Sequence, residues 1–332
     1  MGRKYNYEIV VNERPQSDYN CIFDYGHVKG IRLVMSRDKL LISYELTSKK
    51  DLFTLFCDRN NLVSEAMKKG MLFHFLHYSQ AINVETVTAS IDDKTETLKN
   101  VKIWSLVNGE LAREFPDAWK SAEAVHNYFL TRHKSKQGYL AAALYALAYS
   151  KYMQFEIQRF MYLWVAMNGL YNHFSYYIVK KAQGQKEGKG KLPSERDKME
   201  NILQAEGLGT YMYSQKEQQQ TAQKVDKLLV RHNYDKEGVT ESLKQVIESY
   251  KDKRAKISAA GYLLLCYPYH LRCNLFHANK PMMFFAMENE FEIKRLQFVN
   301  SILEQFLDNN LLLYFDEEYC KSKVELVNNQ KA

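Results

Sequence analysis

The stretch MQFEIQRFMYLWVAMNGLYNHFSYYI, from Met153 to Ile178, places large apolar side chains at Met153, Ile157, Phe160, Trp164, Met167, Tyr171, Phe174 and Ile178. The steps alternate between four and three residues. That is the period of a helix burying one continuous stripe against its neighbours. A strand would need a period of two. Leu140, Leu144 and Leu147 lead into the stripe from upstream. Two later segments, 257–277 with Leu263, Leu264 and Leu265 and 287–307 with Phe291, Phe298, Ile302 and Phe306, complete a helical bundle.

Reading outward from the bundle, the pattern changes toward the N-terminus. Residues 5–107 read as a mixed α/β region. Short β-branched and aromatic runs at 7–11, 31–35, 40–46, 84–91 and 101–107 predict a mainly antiparallel sheet, covered by one helix at 61–78. Asn108-Gly109 to Pro116 marks the boundary, and Asp117 caps a helix to about Leu130 that Lys134 to Gly138 breaks. The expected class is therefore α+β. Residues 1–110 form an N-terminal α/β region without an assigned role, and residues 111–332 a helical domain with a polar helical segment inserted at 183–255. That insert opens with a Gly/Lys-rich loop, Gln183 to Lys191.

Composition bounds what such a protein does. The chain of 332 residues is 46% hydrophobic with five prolines, enough for a sizeable ordered core. A net charge of +7 favours a polyanionic partner, and its distribution is uneven. Residues 1–110 hold 15 Lys and Arg against 14 Asp and Glu, whereas the remainder holds 31 against 25. Five cysteines without a CxxC spacing read as reduced thiols, with neither a disulfide framework nor a zinc site. No signal-like N-terminus and no membrane-length apolar run is present, so a soluble, cytoplasmic protein is expected.

The segment with the most chemistry is Arg272-Cys273-Asn274-Leu275-Phe276-His277, between Pro268 and Pro281. A guanidinium can hold a phosphate bidentately, and an imidazole moves protons near neutral pH. At about 100° per residue, Arg272 and His277 lie roughly 140° apart on a straight helix, and Asn274 and His277 roughly 60°. A bend at Pro268, or a second subunit, would be needed to gather all three. The same residues also suit an Arg that snorkels and a His satisfied within a core. His270, seven residues before His277, is a neighbour candidate. His74 and His77 share a helical spacing but lack a third ligand, and the glycines at 184, 188 and 190 follow no strand and precede no GKS/T, so neither a metal site nor a phosphate loop is assigned.

Taken together, Phe160-Met161-Tyr162-Leu163-Trp164-Val165-Ala166-Met167-Asn168-Gly169-Leu170-Tyr171-Asn172 and Arg272-Cys273-Asn274-Leu275-Phe276-His277-Ala278 resemble HEPN domains, in the Arg-x4-His variant of Apea-like members. The likeness covers about 137–182 and 257–312. Cys273 stands where the family most often has a polar residue, and Ala278 where Gly is frequent. The resemblance implies an endoribonuclease without metal or cofactor, a toxin or defence effector whose homodimer composes the cleft. It implies catalytic roles for Arg272, Asn274 and His277. His270, Lys280, Lys189 and Lys191 are the RNA-binding candidates. RNA is the implied partner, an antitoxin or activating ligand a further one. Some such domains instead serve as non-catalytic nucleotide- or protein-binding modules, and that alternative stays open.

Overall fold

The computed structural model describes residues 3–11, 19–25, 28–36, 39–46, 84–91, 94–99, 134–182, 193–209, 215–249, 257–276 and 289–331. The chain divides into two compact units, Met1–Gly138 and Tyr139–Ala332.

In the first unit six segments pair through their main chains: β1 (Arg3–Val11), β2 (Tyr19–Tyr25), β3 (Val28–Ser36), β4 (Lys39–Leu46), β5 (Val84–Ile91) and β6 (Lys94–Lys99). All pairings are antiparallel, in the order β2-β3-β4-β1-β5-β6. The register sets Tyr5 opposite Tyr44 on one side of β1 and Ile91 on the other. The helix expected at 61–78 and the strand expected at 101–107 lie outside the described residues.

The expected α+β class is corrected. The part of the chain whose packing is described is 86% helical and holds no strand or sheet, so its class is a helical bundle. The physical reason is that class follows from which layers bury apolar faces against each other. Alternating apolar residues at 5–107 predict main-chain pairing, but they do not say what, if anything, packs on it.

Among the described residues, eight helices longer than one turn lie wholly or mostly in the second unit: α1 (Lys134–Tyr152), α2 (Glu156–Ala182), α3 (Glu195–Ala205), α4 (Gln215–Arg231), α5 (Lys236–Ser249), α6 (Tyr267–Phe276), α7 (Glu290–Asn310) and α8 (Glu317–Lys331). The turn Ala259–Gly261 and a π-helical segment, Tyr262–Cys266, lead into α6. Lys134 to Gly138 opens α1 where a break was expected. A helical Gly costs only about 1 kcal/mol, which burial of Leu140, Leu144 and Leu147 outweighs. The stripe anticipated as continuous bends at Met153–Phe155, so α1 and α2 form an antiparallel hairpin, with Tyr149 stacked on Tyr162 at 5.5 Å.

Caps account for the helix starts. Ser194 and Asp197 form a reciprocal capping box on α3, and the Asn289 side chain accepts from the amides of Phe291 and Glu292 on α7. Helix α3, expected in an accessory insert, belongs to the core: Met199, Ile202 and Leu203 are buried and it packs along α2. Helices α4 and α5 form the hairpin part of that insert. Helix α8 was not anticipated, because its buried residues Cys320, Val324 and Val327 make only a thin stripe. It closes on α3 with Lys323 donating to the Ala205 carbonyl at 3.0 Å, and Tyr314, in the 3-10 turn Leu313–Phe315 that precedes α8, donates to Glu206 at 2.5 Å. Among the described residues no helix is long and apolar enough to cross a membrane.

Charges, as well as apolar contacts, join α1, α2 and α7. Lys151, 1% exposed, donates to both Asp308 oxygens at 2.9 and 2.7 Å and lies 3.3 Å from Glu304. Buried Arg159 pairs with Glu304 and, at 3.3 Å, with Glu156. Asn300 donates to the Glu156 carbonyl at 2.8 Å and to its carboxylate at 2.7 Å. Burial pushes the Asp308 carboxyl up despite the pull of Lys151. Removing one member of a buried pair strands the other, at a cost of about 3–5 kcal/mol. Lys151→Met is therefore expected to lower urea-unfolding stability by about that amount. Lys151→Met with Asp308→Leu should recover part of the loss, because the double replacement leaves fewer buried charges unpaired.

Candidate active site

The Arg272 segment sits on α6, and α6 is placed by the π-helical turn before it. The Tyr267 amide donates to the Tyr262 carbonyl, five residues back. Pro268 has no N–H to give Leu264, and in a regular helix its ring would press on that carbonyl. Widening the preceding turn relieves the clash without breaking the helix. A start or kink was expected here. Pro268 is the second residue of α6, which follows the π-helical segment directly.

Anchors on other helices then fix the rotation of α6. The hydroxyl of buried Tyr267 donates to Asp226 of α4. Arg295 of α7, itself buried, lies 3.5 Å from the same carboxylate and covers the Tyr267 ring at 5.8 Å. Burial is the main reason the Tyr267 phenol is pushed well up.

From that frame Arg272 points along the face shared with Tyr269. It is half-buried, with its guanidinium carbon 6.0 Å from the Tyr269 ring and Nη1 3.9 Å from the Cys273 sulfur. Tyr269 lies 6.2 Å from the Trp164 ring of α2, and Trp164 meets Tyr171 edge-on at 6.4 Å. Tyr171 donates to Glu195, the first residue of α3, at 2.8 Å. Burial first, then Glu195, pushes the Tyr171 phenol well up, and Arg272 draws it partly back. Burial lowers the Arg272 pKa, but Cys273 and Glu195 outweigh that and raise it overall. Arg272, Tyr269, Trp164, Tyr171 and Glu195 thus make one charged and aromatic cluster across α6, α2 and α3. Beside it, Lys198 donates to Asn172 at 2.7 Å, and Asn172 donates to the Asn168 carbonyl at 2.8 Å.

Asn274 does not join Arg272. Two residues on a helix are about 200° apart, and the Asn274 amide nitrogen lies 3.0 Å from His270 Nε2, one turn back. The segment therefore offers two faces, one with Arg272 and one with His270 and Asn274. His277, Lys280, Lys189 and Lys191 lie outside the described residues, as do His74 and His77. Among the described residues no group of three or more His, Cys, Asp or Glu is placed to hold a metal ion. Glu195, Tyr171 and Tyr269 were not singled out from the sequence as site residues. Tyr171 reads there as one more stripe residue, and nothing along the chain ties Glu195 to a residue 77 positions later.

Gly169, in the middle of the α2 segment, has a steric role. A Cβ there would stand 2.6 Å from the Tyr139 carbonyl oxygen and 2.8 Å from the Ala143 Cβ, so glycine lets α1 and α2 approach closely. The chain matches no family model, no curated protein and no solved structure. The part of the chain whose packing is described is a helical bundle in which Arg272 stands in a cluster of aromatic and charged side chains. Gly169→Ala should destabilise it by about 1–3 kcal/mol through overpacking, even though Ala gains about 1 kcal/mol in helix propensity. A lowered urea midpoint with unchanged helicity is the expected readout.

Proposed function

We propose that this chain is a HEPN-type endoribonuclease that cleaves RNA without a metal ion, working as a homodimer in toxin or defence activity. One observation carries the reading. The two segments behind the resemblance, about a hundred residues apart in sequence, are neighbours in space: Trp164 meets Tyr269 at 6.2 Å, and Tyr171 lies in the electrostatic field of Arg272. The π-helical turn immediately before the motif is a second support, since such turns are frequent at functional sites.

The chemistry uses the nucleophile that RNA itself carries. Cleavage takes the proton of the 2′-OH, forms a bond from that oxygen to phosphorus, and breaks the bond to the 5′-oxygen, which accepts a proton. The products are a 2′,3′-cyclic phosphate and a 5′-hydroxyl. In this reading His277 moves the proton, and Arg272 clamps the phosphate and offsets the charge growing on it. One imidazole does not serve both sides of an in-line displacement, so each subunit of the dimer supplies a His277 to a common cleft. Asn274 steadies the opposite face of α6 through His270. Lys280, Lys189 and Lys191 contribute phosphate contacts.

A second reading, a non-catalytic HEPN module that binds nucleotide or protein, is favoured by Glu195. A carboxylate acting on Arg272 competes with a phosphate for the same guanidinium.

Incubation of the pure protein with a generic single-stranded RNA in EDTA separates the two. Cleavage with 2′,3′-cyclic phosphate ends is expected. A Mg²⁺ requirement with 5′-phosphate products would sink the proposal. His277→Ala, once shown to fold, should lose roughly 10²–10⁴ in rate with RNA affinity retained, and wild-type cleavage by this variant would make the motif scaffold. Arg272→Lys should keep affinity better than rate, because a point charge does not reproduce the planar fork. Sedimentation should give twice the chain mass, and a fully active monomer would remove the shared cleft.

A further inference from the structure

Away from the Arg272 cluster, a cavity of about 300 Å³ lies between the start of α5, the π-helical segment and the C-terminal half of α7. Its wall is mostly apolar, with Leu263, Leu264, Ile302 and Phe306 among the lining side chains. Its polar residues are Lys236 and Thr240 of α5 and Gln305, Asn309 and Asn310 of α7. Among the described residues that line it, Lys236, the first residue of α5, is the one that carries a charge, and none is Asp or Glu. The Lys236 ammonium donates to the side-chain carbonyl of Gln305 across the rim. Among the described residues it has no carboxylate partner. Its solvent-exposed ammonium therefore stands at the mouth of the mostly apolar cavity, with a neutral amide as its partner from the protein.

We propose that this cavity binds a small monoanionic amphiphile, an alkyl or aryl carboxylate, with its chain between Leu263, Leu264, Ile302 and Phe306 and its carboxylate on Lys236. The volume falls at the small end of the range of roughly 300–1,000 Å³ typical of ligand sites. A short chain or a single ring suits it better than a nucleotide. The carboxylate gives Lys236 the charged acceptor that Gln305 does not supply, and the apolar wall excludes a highly charged ligand. A neutral ligand leaves the cation with its amide, and an ammonium ligand is repelled. The bound chain would lie against the π-helical segment that leads into α6, while the carboxylate site itself needs nothing from Arg272 or His277.

The test is calorimetric titration of the full-length protein with octanoate, octanol and octylamine at neutral pH. Octanoate is expected to bind with a dissociation constant below about 1 mM and about tenfold tighter than octanol, with octylamine weakest. Lys236→Met should bring octanoate down to the affinity of octanol, and Ala260→Phe, which fills the cavity from its wall, should remove both. Three results overturn the proposal: no octanoate binding, equal affinity for octanoate and octanol in the wild type, or full octanoate affinity in folded Ala260→Phe. If Ala260→Phe does not fold, Lys236→Met decides alone, and an undiminished preference for octanoate in that variant rejects the assignment. RNA cleavage enters none of these readouts, so the two proposals stand or fall separately.

Discussion

The buried ionic cluster of Lys151, Arg159, Glu156, Glu304 and Asp308 is the constraint on which the bundle's arrangement turns. Two cations and three carboxylates removed from water are tolerated only with partners in place. Those partners come from three helices: Lys151 from α1, Arg159 and Glu156 from α2, and Glu304 and Asp308 from α7. Apolar stripes alone allow such helices to slide by a turn or rotate, because Leu, Ile and Phe exchange neighbours at small cost. A misplaced Lys151 would bury an unpaired ammonium. The charges therefore select one register from several that the apolar pattern permits, and Asn300, bonded to Glu156 through both its carbonyl and its carboxylate, adds a second lock on α2 against α7.

That register carries through to the candidate site. Helix α7 also presents Arg295, which with Asp226 holds the Tyr267 phenol at the start of α6. Helix α2 presents Trp164 and Tyr171 to the other side of α6, and the close α1–α2 approach permitted by Gly169 sets where α2 runs. The π-helical turn adds a rotation that an ideal helix lacks, accommodating Pro268 and turning the face of α6 that carries Tyr269 and Arg272. The thiol of Cys266, inside that turn, is fully buried and pushed well up, which leaves it a packing residue.

Legibility in the sequence followed periodicity. Helix α2 and helix α7 were readable from stripes of Phe, Ile, Met, Trp and Tyr at steps of three and four, and stripe residues such as Phe160, Met167, Phe174 and Phe298 are buried. Helix α8 was not readable, because three small buried side chains do not make a clear moment. The break at 153–155 was missed because no Gly or Pro marks it and apolar residues continue on both sides; only the step of six from Leu147 to Met153 departs from the helical spacing. At 134–138 local glycine and lysine suggested a break, and tertiary burial of the leucines that follow overrode them. In the site, Arg272 drew attention through its chemistry and its spacing from His277. Glu195, Tyr269 and the pairing of Asn274 with His270 carry no spacing signal that distinguishes them from ordinary helix residues.

By itself, then, the sequence determined that the long striped segments of α2 and α7 are helical, which of their faces are apolar, where the basic surplus lies, and that an Arg and a His stand five apart between two prolines. These are local properties, set by side-chain type and by the 3.6-residue repeat. Only the tertiary structure decided which charges pair, that α3 belongs to the core, and that Tyr269 and Arg272 meet Trp164, Tyr171 and Glu195. Each of these depends on atoms from distant parts of the chain meeting in a low-dielectric interior, where a difference of one helical turn separates a satisfied ion pair from a stranded charge. The α+β expectation was corrected for the same reason, since alternation along a strand encodes its own pairing and not the layer that packs against it.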